Sequence, residues 1–290
     1  MKKILITGAN SYIGSSFEKW VGNYPGQYLV DTVDMKDGAW KENDFSGYDV
    51  VFHAAGIAHV DVKKATEETK ALYSKVNRDL TIETAVKAKN DGVKQFIFMS
   101  SIIVYGDSSQ LNKKRVITKD TIPQPTNFYG NSKLQAEEGI RDFGSDEFKV
   151  VILRPPMIYG KGSKGNYPRL AKVAQKLPIF PDIDNQRSML HIDNLCEFIR
   201  LMIENGEEGL FFPQNGEYVK TSEMVRMIAE AHGGKMRLVK VFNPMIRVIS
   251  GEIGIFNKVF GNLVYEQGMS GYKKSYQIND LLSSIKETEG

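Results

Sequence analysis

Tyr129 and Lys133 lie four residues apart in the run Phe-Tyr-Gly-Asn-Ser-Lys that ends at Lys133. On a helix this spacing places both side chains on one face. A tyrosine hydroxyl, whose pKa is ordinarily about 10, is a poor base at neutral pH, but a neighbouring ammonium lowers that pKa. The pair therefore predicts acid–base chemistry beside a hydride acceptor. Taken alone, the spacing is more often that of an ordinary solvated helix, so the interpretation depends on the residues that accompany it.

Short apolar segments alternate with helical segments through the first half of the chain. The apolar segments span residues 3–7, 28–33, 49–53, 95–100 and 149–153, and the helical ones span residues 12–21, 70–91 and 127–143. Repeated strand–helix–strand units predict an α/β fold with a Rossmann-type, doubly wound parallel sheet. After Arg154, loops rich in Gly, Pro and Lys separate predicted helices at residues 167–175, 192–205, 221–232 and 279–286.

A glycine-containing turn follows the first predicted strand directly. It reads Thr-Gly-Ala-Asn-Ser-Tyr-Ile-Gly from Thr7 to Gly14, and such glycines let the backbone approach a pyrophosphate at a helix N-terminus. Asp34 closes the second strand, where a carboxylate can bind a ribose hydroxyl and disfavour a 2′-phosphate. These features predict NAD rather than NADP as cofactor. The cofactor-binding residues predicted in this region are Gly8, Asn10, Ser11, Tyr12, Ile13, Gly14 and Asp34, with Asp44 and Phe45 either flanking the adenine or lying in an ordinary surface loop.

We expect two domains from this pattern. Residues 1–154 together with about 188–212 form the predicted NAD-binding domain. Residues 155–187 and 213–290 form a smaller C-terminal α/β domain that binds the substrate. The turn that begins at Arg154 and runs through Pro156 to Asn166 is expected to shape the substrate pocket.

Composition limits the classes of function. The 290 residues are 41% hydrophobic and 25% charged, and a formal charge of +3 is too small to indicate a nucleic-acid-binding protein. Cys196 is the only cysteine, so a disulfide framework is excluded and a reducing cytoplasm is the expected location. We expect Cys196 in the core. Four scattered histidines make a zinc site improbable.

No segment has the pattern of a secretion signal or a membrane span. The N-terminus reaches Gly8 after a short apolar run, without a long apolar region or a cleavage site. The longest apolar stretch, residues 244–265, is interrupted by Arg247, Glu252, Asn257 and Lys258. We interpret this stretch as amphipathic packing against the substrate domain, and we expect no integral membrane segment.

Together these elements resemble the extended short-chain dehydrogenase/reductase superfamily, in particular its nucleotide-sugar epimerase/dehydratase group. The resemblance covers nearly the whole chain. The TGxxGxxG loop of the group is matched at Thr7, Gly8 and Gly14, with Ser11 in place of the middle glycine. Further motifs match in the expected order: His53-Ala54-Ala55-Gly56, Asn77 with Thr81 and an intervening Leu80 where glycine is usual, Ser100 to Gly106 as Ser-Ser-x-x-Val-Tyr-Gly, and Tyr129 with Lys133.

The resemblance implies a set of catalytic and binding residues. Ser101 follows a predicted parallel strand, where such sheets bind ligands, and its hydroxyl can hydrogen-bond a reacting oxygen. Tyr129 would take the proton of a sugar hydroxyl while hydride passes from the same carbon to NAD. Lys133 would lower the pKa of Tyr129 and hold the nicotinamide ribose. The remaining cofactor contacts that the resemblance implies are His53, Ala54, Ala55, Gly56, Asn77, Ser100 and Pro156.

The substrate implied by the resemblance is a nucleotide sugar, and UDP is inferred from the resemblance alone. Arg187 matches the arginine of an Arg-x-x-x-His segment that contacts the diphosphate in the group, a role that suits the forked donors of guanidinium. The alternative is an ordinary surface arginine. Asn166 is the second predicted substrate contact, and His191 is expected to be structural.

Two reactions remain open. Dehydratases of the group place an Asp-Glu pair beside the catalytic hydroxyl, and here Ile102 and Ile103 occupy those positions, which excludes an evident catalyst for elimination. A UDP-hexose 4-epimerase of surface polysaccharide synthesis, acting on UDP-glucose or a UDP-N-acetylhexosamine, is favoured because Asp34 favours NAD. A UDP-4-keto-6-deoxyhexose (or hexosamine) 4-reductase is the alternative. A non-catalytic dinucleotide sensor is the alternative of a different class. The resemblance also allows a homodimer through residues 70–91 and 127–143.

Overall fold

The computed structural model describes residues 1–58, 65–108, 114–249 and 259–290. The strands are β1 (Lys2–Thr7), β2 (Tyr28–Val33), β3 (Val50–His53), β4 (Gln95–Met99), β5 (Val116–Ile117), β6 (Lys149–Leu153), β7 (Met157–Tyr159), β8 (Ile179–Pro181), β9 (Met189–His191), β10 (Gly209–Phe211), β11 (Arg237–Val239) and β12 (Val264–Tyr265). The helices are α1 (Tyr12–Val21), α2 (Glu67–Tyr73), α3 (Leu80–Asn90), α4 (Phe128–Arg141), α5 (Asn166–Lys176), α6 (Ile192–Glu204), α7 (Thr221–Ala231), α8 (Asn243–Ile249) and α9 (Leu281–Glu289). The predicted amphipathic segment 244–265 lies partly outside the described residues.

Six parallel strands form the central sheet in the order β10-β6-β4-β3-β1-β2. The strands β2 and β3 pair with opposite edges of β1, so the chain changes direction across the sheet after β2. In such sheets the crevice at the carboxyl ends of the strands on either side of this change is the ligand site. The predicted α/β fold with a doubly wound parallel sheet is therefore confirmed.

The central strands are apolar without alternation because both of their faces are covered. Every residue of β3 and of β4 is buried. This is typical of a parallel strand packed between two layers of helices. The five predicted strands start and end within one residue of the observed ones, whereas the three-residue edge strand β10 is too short to produce a periodic signal.

The helix predicted at residues 70–91 is interrupted in the structure. It consists of α2, a π-helical turn over Ser74–Asp79 and α3. Helix α2 begins after Thr66, whose hydroxyl accepts a hydrogen bond of 3.2 Å from the backbone N–H of Thr69. Turns of this kind are frequently found at functional sites, and this one carries Asn77.

The chain divides into two compact units. The first comprises residues 1–106, 123–155 and 195–213, and the second comprises residues 107–122, 156–194 and 214–290. Two segments differ from the predicted domains. Residues 107–122 belong to the second unit because their strand β5 pairs with β12, and residues 188–194 belong there because β9 pairs with β7.

The interior of the second unit contains a network of neutral polar groups. The Asn215 side-chain carbonyl accepts hydrogen bonds from the backbone N–H of His191 (2.9 Å) and from the Asn194 amide (3.0 Å). The Asn215 amide donates to the Tyr159 hydroxyl (2.9 Å), which lies 2.6 Å from the Ser284 hydroxyl. Burial lowers the pKa of His191 to about 4, so this side chain is neutral near pH 7. This arrangement agrees with the structural role expected for His191.

In the part of the chain that the structure describes, no helix is both long and apolar enough to cross a bilayer. Cys196 is buried, as expected for a core residue.

Candidate active site

The loop after β1 packs directly against the loop after β3. Gly8 has a φ of +91°, and the backbone N–H groups of Gly8 and Ala9 donate to the Val33 carbonyl at 2.9 and 3.1 Å. A Cβ at Gly8 would lie 2.8 Å from the Cα of Ala55. Glycine is therefore required at this position, both for its backbone conformation and for the close approach of the two loops.

Ser11, which stands where the related motif has its middle glycine, is the N-cap of α1. Its hydroxyl accepts a hydrogen bond of 3.2 Å from the backbone N–H of Gly14. A Cβ at Gly14 would lie 2.6 Å from this same oxygen. Ser11 and Gly14 thus fit each other, and the backbone still presents the start of a helix to the crevice, where an anion is stabilised.

Asp34 follows β2 at the edge of the sheet that carries the glycine loop. Its side chain is exposed, accepts a hydrogen bond from the backbone N–H of Lys36 (3.1 Å) and lies 3.5 Å from the Lys36 ammonium. Asp44 is also exposed and accepts from the backbone N–H of Ser46 (2.8 Å). The ring of Phe45, in contrast, is fully buried in the core, with the Lys87 ammonium 4.9 Å from its centroid. That ring therefore offers no free face to an adenine.

His53 is enclosed between two threonines. Its ring nitrogens lie 2.7 Å from the Thr7 hydroxyl and 3.0 Å from the Thr81 hydroxyl, and the side chain is fully buried. Burial lowers the pKa of His53 to about 3, so it is neutral near pH 7. The side chain holds the ends of β1 and β3 against α3, beneath the Ala54-Ala55-Gly56 loop.

Asn77 fixes the loop that follows β3. Its side-chain carbonyl accepts from the backbone N–H of Ile57 (2.9 Å), and its amide donates to the Ile57 carbonyl (3.1 Å) and the Ser132 hydroxyl (3.2 Å). A Cβ at Gly56 would lie 3.1 Å from the Asn77 carbonyl oxygen and 3.2 Å from the Lys133 ammonium. Gly56 therefore allows both polar groups to approach the loop.

Ser101, Tyr129 and Lys133 come together at the carboxyl end of β4. Ser101 caps a 3-10 helix over Ile102–Tyr105, and its hydroxyl accepts from the backbone N–H of Ile103 (3.3 Å). Tyr129 lies in the first turn of α4 and shares a side-chain hydrogen bond with Ser101. Lys133 is buried and donates to the Met99 carbonyl (2.8 Å). The residues predicted to form one catalytic set are thus adjacent in the structure.

The predicted lowering of the tyrosine pKa by Lys133 is wrong for the structure as it stands. Burial raises the pKa of Tyr129 to about 12, assisted by the nearby Tyr73, while the hydrogen bond with Ser101 acts in the opposite direction. Burial also lowers the pKa of Lys133 to about 8. The reason is that both groups are withdrawn from water, which disfavours the charged form of each. In this environment the hydroxyl of Tyr129 is protonated at neutral pH.

Comparison with known proteins identifies the family. The profile of the NAD-dependent epimerase/dehydratase family matches residues 4–212. The chain belongs to this family. A UDP-glucose 4-epimerase of Vibrio cholerae is 34% identical over 253 residues, covering 79% of this chain and 76% of the relative. A GDP-6-deoxy-D-mannose reductase of Pseudomonas aeruginosa is 23% identical over 260 residues, covering 82% and 83% of the two chains.

A solved structure shows the same fold. The UDP-glucuronic acid 4-epimerase from Bacillus cereus, solved in complex with NAD, superposes with a TM-score of 0.71 at 18% identity, covering 98% of this chain and 96% of that one. The family match and the two relatives, rather than this structural likeness, place the chain among NAD-dependent epimerases and reductases, as the sequence motifs predicted.

The residues at the carboxyl ends of β1, β2 and β3 fit a bound NAD. Added Cβ atoms would fill the cradle at Gly8 and close the approach at Gly56. The N-terminus of α1 suits the pyrophosphate, and the exposed carboxylate of Asp34 suits a ribose hydroxyl. These elements provide backbone N–H donors for the phosphates and a carboxylate acceptor for a ribose hydroxyl, which is the combination that a dinucleotide requires.

Three predicted binding residues belong to the second unit. Pro156 directly precedes β7, and Asn166 is the first residue of α5. Arg187 is half-buried, and its backbone pairs with Val219 through hydrogen bonds of 3.0 and 2.9 Å. Burial lowers the pKa of Arg187 to about 10. This guanidinium remains charged near pH 7.

Three residues that position the site were missed by sequence reasoning. A Cβ at Gly130 would lie 2.7 Å from the Ile103 carbonyl oxygen, so this glycine lets α4 approach the 3-10 helix. The ring centroid of Tyr73 lies 5.9 Å from that of Tyr129 in an edge-to-face contact. Glu137 is fully buried one turn beyond Lys133. Its spacing of four residues from Lys133 was the available signal, because it continues the face that carries Tyr129.

Proposed function

We propose that this protein is a nucleotide-sugar 4-epimerase that acts on a UDP-hexose, either UDP-glucose or a UDP-N-acetylhexosamine, in the synthesis of surface polysaccharides. The observation that carries the proposal is the hydrogen-bonded pair of Ser101 and Tyr129 at the carboxyl end of β4. Lys133, one turn beyond Tyr129 on α4, donates to the carbonyl of Met99 at the same end of the strand. The 34% identity with a UDP-glucose 4-epimerase supports the choice of reaction.

The side chains have separate roles in this reaction. Ser101 hydrogen-bonds the oxygen on C4 of the sugar, and Tyr129 exchanges a proton with that oxygen. NAD, when bound, would supply a reversible hydride acceptor for C4 and, in its oxidised form, a positive charge; rotation of the keto sugar between the two hydride transfers would invert C4. Such a charge lowers the pKa of Tyr129, so that its hydroxyl can act as a base in oxidation and as an acid in the return step. No net oxidation or reduction results.

For the substrate, we propose that Arg187 binds the diphosphate and that Asn166 contacts the substrate. A guanidinium held in a poorly solvated position interacts strongly with phosphate oxygens. A substitution of Arg187 by Met is expected to raise KM for the nucleotide sugar more than it lowers kcat. An unchanged KM would remove Arg187 from the binding site.

A 4-ketoreductase is the second candidate. In this reaction the protonated hydroxyl of Tyr129 would donate to a ketone oxygen. The Pseudomonas aeruginosa relative, named as a GDP-6-deoxy-D-mannose reductase, agrees with this direction. A dehydratase is disfavoured, since Ile102 and Ile103 in the 3-10 helix carry neither acid nor base.

The test is to incubate purified protein with UDP-glucose, UDP-N-acetylglucosamine and a UDP-4-keto-6-deoxy sugar, with and without NADH. We expect interconversion of C4 epimers without added cofactor and without net change in NADH absorbance. Stoichiometric consumption of NADH with the keto sugar alone would overturn the epimerase in favour of the reductase. Absence of turnover with all three, combined with tight NADH binding, would favour a dinucleotide sensor.

A further inference from the structure

A buried charged cluster lies directly beneath the catalytic set. Glu137 is fully buried and Arg154 is 3% exposed. The two groups form a bidentate pair, with Arg154 Nε 3.0 Å from Oε1 and Nη2 2.5 Å from Oε2 of Glu137. The reaction described above uses neither residue. A buried ion pair of this kind is weak evidence for stability, so its presence here requires another account.

The cluster forms hydrogen bonds with both ends of the segment of residues 100–105, which carries Ser101. The Ser100 hydroxyl donates to the carboxylate of Glu137, and Arg154 Nη1 donates to the Tyr105 hydroxyl at 2.6 Å. Ser100 directly precedes Ser101, and Tyr105 is the last residue of the 3-10 helix that Ser101 caps. Through these contacts a single carboxylate on α4 holds the segment of Ser101 against the helix of Tyr129.

The same carboxylate continues the catalytic face of α4. Tyr129, Lys133 and Glu137 follow one another at intervals of four residues, so their side chains lie along one face. Among the described residues, Lys133 interacts electrostatically with Glu137 on its own helix and with His53 on β3, and Tyr129 lies one turn before Lys133 on α4. Arg154 and Tyr105 face Glu137 from beyond β6 and from the 3-10 helix. Since His53 is neutral near pH 7, the carboxylate of Glu137 supplies the charge that favours the ammonium of Lys133.

We propose that Glu137 is a positioning residue of the active site, which fixes the Ser101 segment to α4 and maintains Lys133 as an ammonium ion. This inference rests on the proposed function, because it assigns Glu137 a role in setting the geometry and charge of Ser101, Tyr129 and Lys133. It also explains why a fully buried carboxylate stands one turn beyond Lys133.

Two substitutions separate the two roles. Glu137→Gln keeps the size of the side chain and removes its charge, whereas Glu137→Asp keeps the charge and withdraws it from Ser100 and Arg154. The matched control is Glu197→Gln, which removes a carboxylate that is 7% exposed and pairs with Arg200 at 2.7 Å in the same unit. Arg154→Lys serves as a second variant, which retains the positive charge but loses the bidentate hydrogen bonding of the guanidinium to Glu137.

The measurements are kcat and KM between pH 6 and pH 10 and the pH dependence of NADH binding, followed by fluorescence. Loss of a nearby opposite charge lowers the pKa of a lysine by about 1 unit or more. A fall of about 1 unit from the value of about 8 reduces activity about twofold at pH 7 and about tenfold at pH 9. We therefore expect Glu137→Gln to lose activity and NADH affinity mainly on the alkaline side. Glu137→Asp is expected to keep the wild-type pH profile with a uniformly lower kcat. Glu197→Gln is expected to keep both the wild-type pH profile and the wild-type kcat.

The outcomes are decisive in either direction. If Glu137→Gln and Glu137→Asp both lower activity equally at all pH values and lose as much thermal stability as Glu197→Gln, Glu137 is merely structural and the inference is overturned. If Glu137→Gln does not fold, kcat and the NADH-binding profile of Glu137→Asp and Arg154→Lys decide the positioning role, and an unchanged kcat in both variants overturns it.

The proposed function fails separately, if a Tyr129→Phe variant turns over the nucleotide sugar at the wild-type rate. In that case the pH dependence of NADH binding still tests the effect of Glu137 on Lys133.

Discussion

The first unit buries charges beneath its site, whereas the second unit buries a network of neutral groups. In the first unit, Lys133, Glu137 and Arg154 lie 0–5% exposed around the end of β4. In the second unit, buried amides and hydroxyls around Asn215 satisfy one another, and His191 is neutral. Charges withdrawn from water respond strongly to each other, while satisfied neutral groups mainly fix a structure. We therefore expect substitutions in the charged cluster of the first unit to change activity, and substitutions in the neutral network of the second unit to change stability.

Loss of the Tyr129 hydroxyl should give the largest effect and test the chemical half of this comparison. A general acid–base group contributes about 10²–10⁴ in rate, so we expect Tyr129→Phe to lower kcat about 10³-fold. Thermal unfolding should change little, because the ring and its contact with Tyr73 remain. Tyr48→Phe, which removes an exposed hydroxyl 3.0 Å from Asp31, is the matched control. Full activity of Tyr129→Phe would show that the charged cluster supports no chemistry at this residue.

Removal of the Asn215 side chain should change stability rather than the chemical step. Asn215→Ala leaves the backbone N–H of His191 and the Tyr159 hydroxyl each short of a buried partner, and such groups each destabilise by about 1–3 kcal/mol. We expect a loss of about 3 kcal/mol in the free energy of unfolding, measured by urea denaturation. Asn90→Ala at the exposed end of α3 should change it by less than about 0.5 kcal/mol. If Asn215→Ala were as stable as this control, the neutral network would not provide cohesion.

Sequence reasoning reached the fold because the fold depends on local patterns. The apolar strands β3 and β4 and the glycine turn at Gly8 are recognisable from adjacent residues alone. The candidate site was predicted only in part. Ser101, Tyr129 and Lys133 belong to recognisable motifs, and their proximity follows from the order of the strands. The sequence did not predict that the pKa of Tyr129 is raised, because this shift depends on burial by residues such as Tyr73 that are distant in sequence. The pairing of Glu137 with Arg154 was not predicted either, since it joins α4 to the residue that follows β6.

Gly130→Ala should test whether the position of Tyr129 relative to Ser101 is set by close backbone contact. The new Cβ would lie 2.7 Å from the Ile103 carbonyl oxygen and 2.8 Å from Pro125, so the first turn of α4 must shift. A displacement of about 1 Å at a catalytic group can lower a rate about 10²-fold, and we expect a loss of this order in kcat. Gly139→Ala on the same helix meets only the flexible end of Ile82 and is the control. Equal kcat in the two variants would assign the positioning to the Glu137 cluster alone.

Acid sensitivity, expressed as the change in stability per pH unit, should give the smallest effect and compare the units directly through their buried histidines. The pKa of His53 in the first unit is about 3 and that of His191 in the second is about 4, both below the ordinary value of about 6.5. As pH falls below about 6.5, the unfolded chain takes up a proton that the folded state refuses at each site, so stability present above pH 6.5 is lost. The loss approaches about 1.4 kcal/mol per pH unit for each histidine and ends as pH passes the folded-state pKa. Urea titrations at a series of pH values should show this slope reduced by about one proton in His53→Gln and in His191→Gln, whatever the absolute stability of either variant. If the two units unfold in separate transitions, each substitution should alter the slope of one transition only, and a substitution that altered neither slope would show that its histidine is protonated in the folded protein.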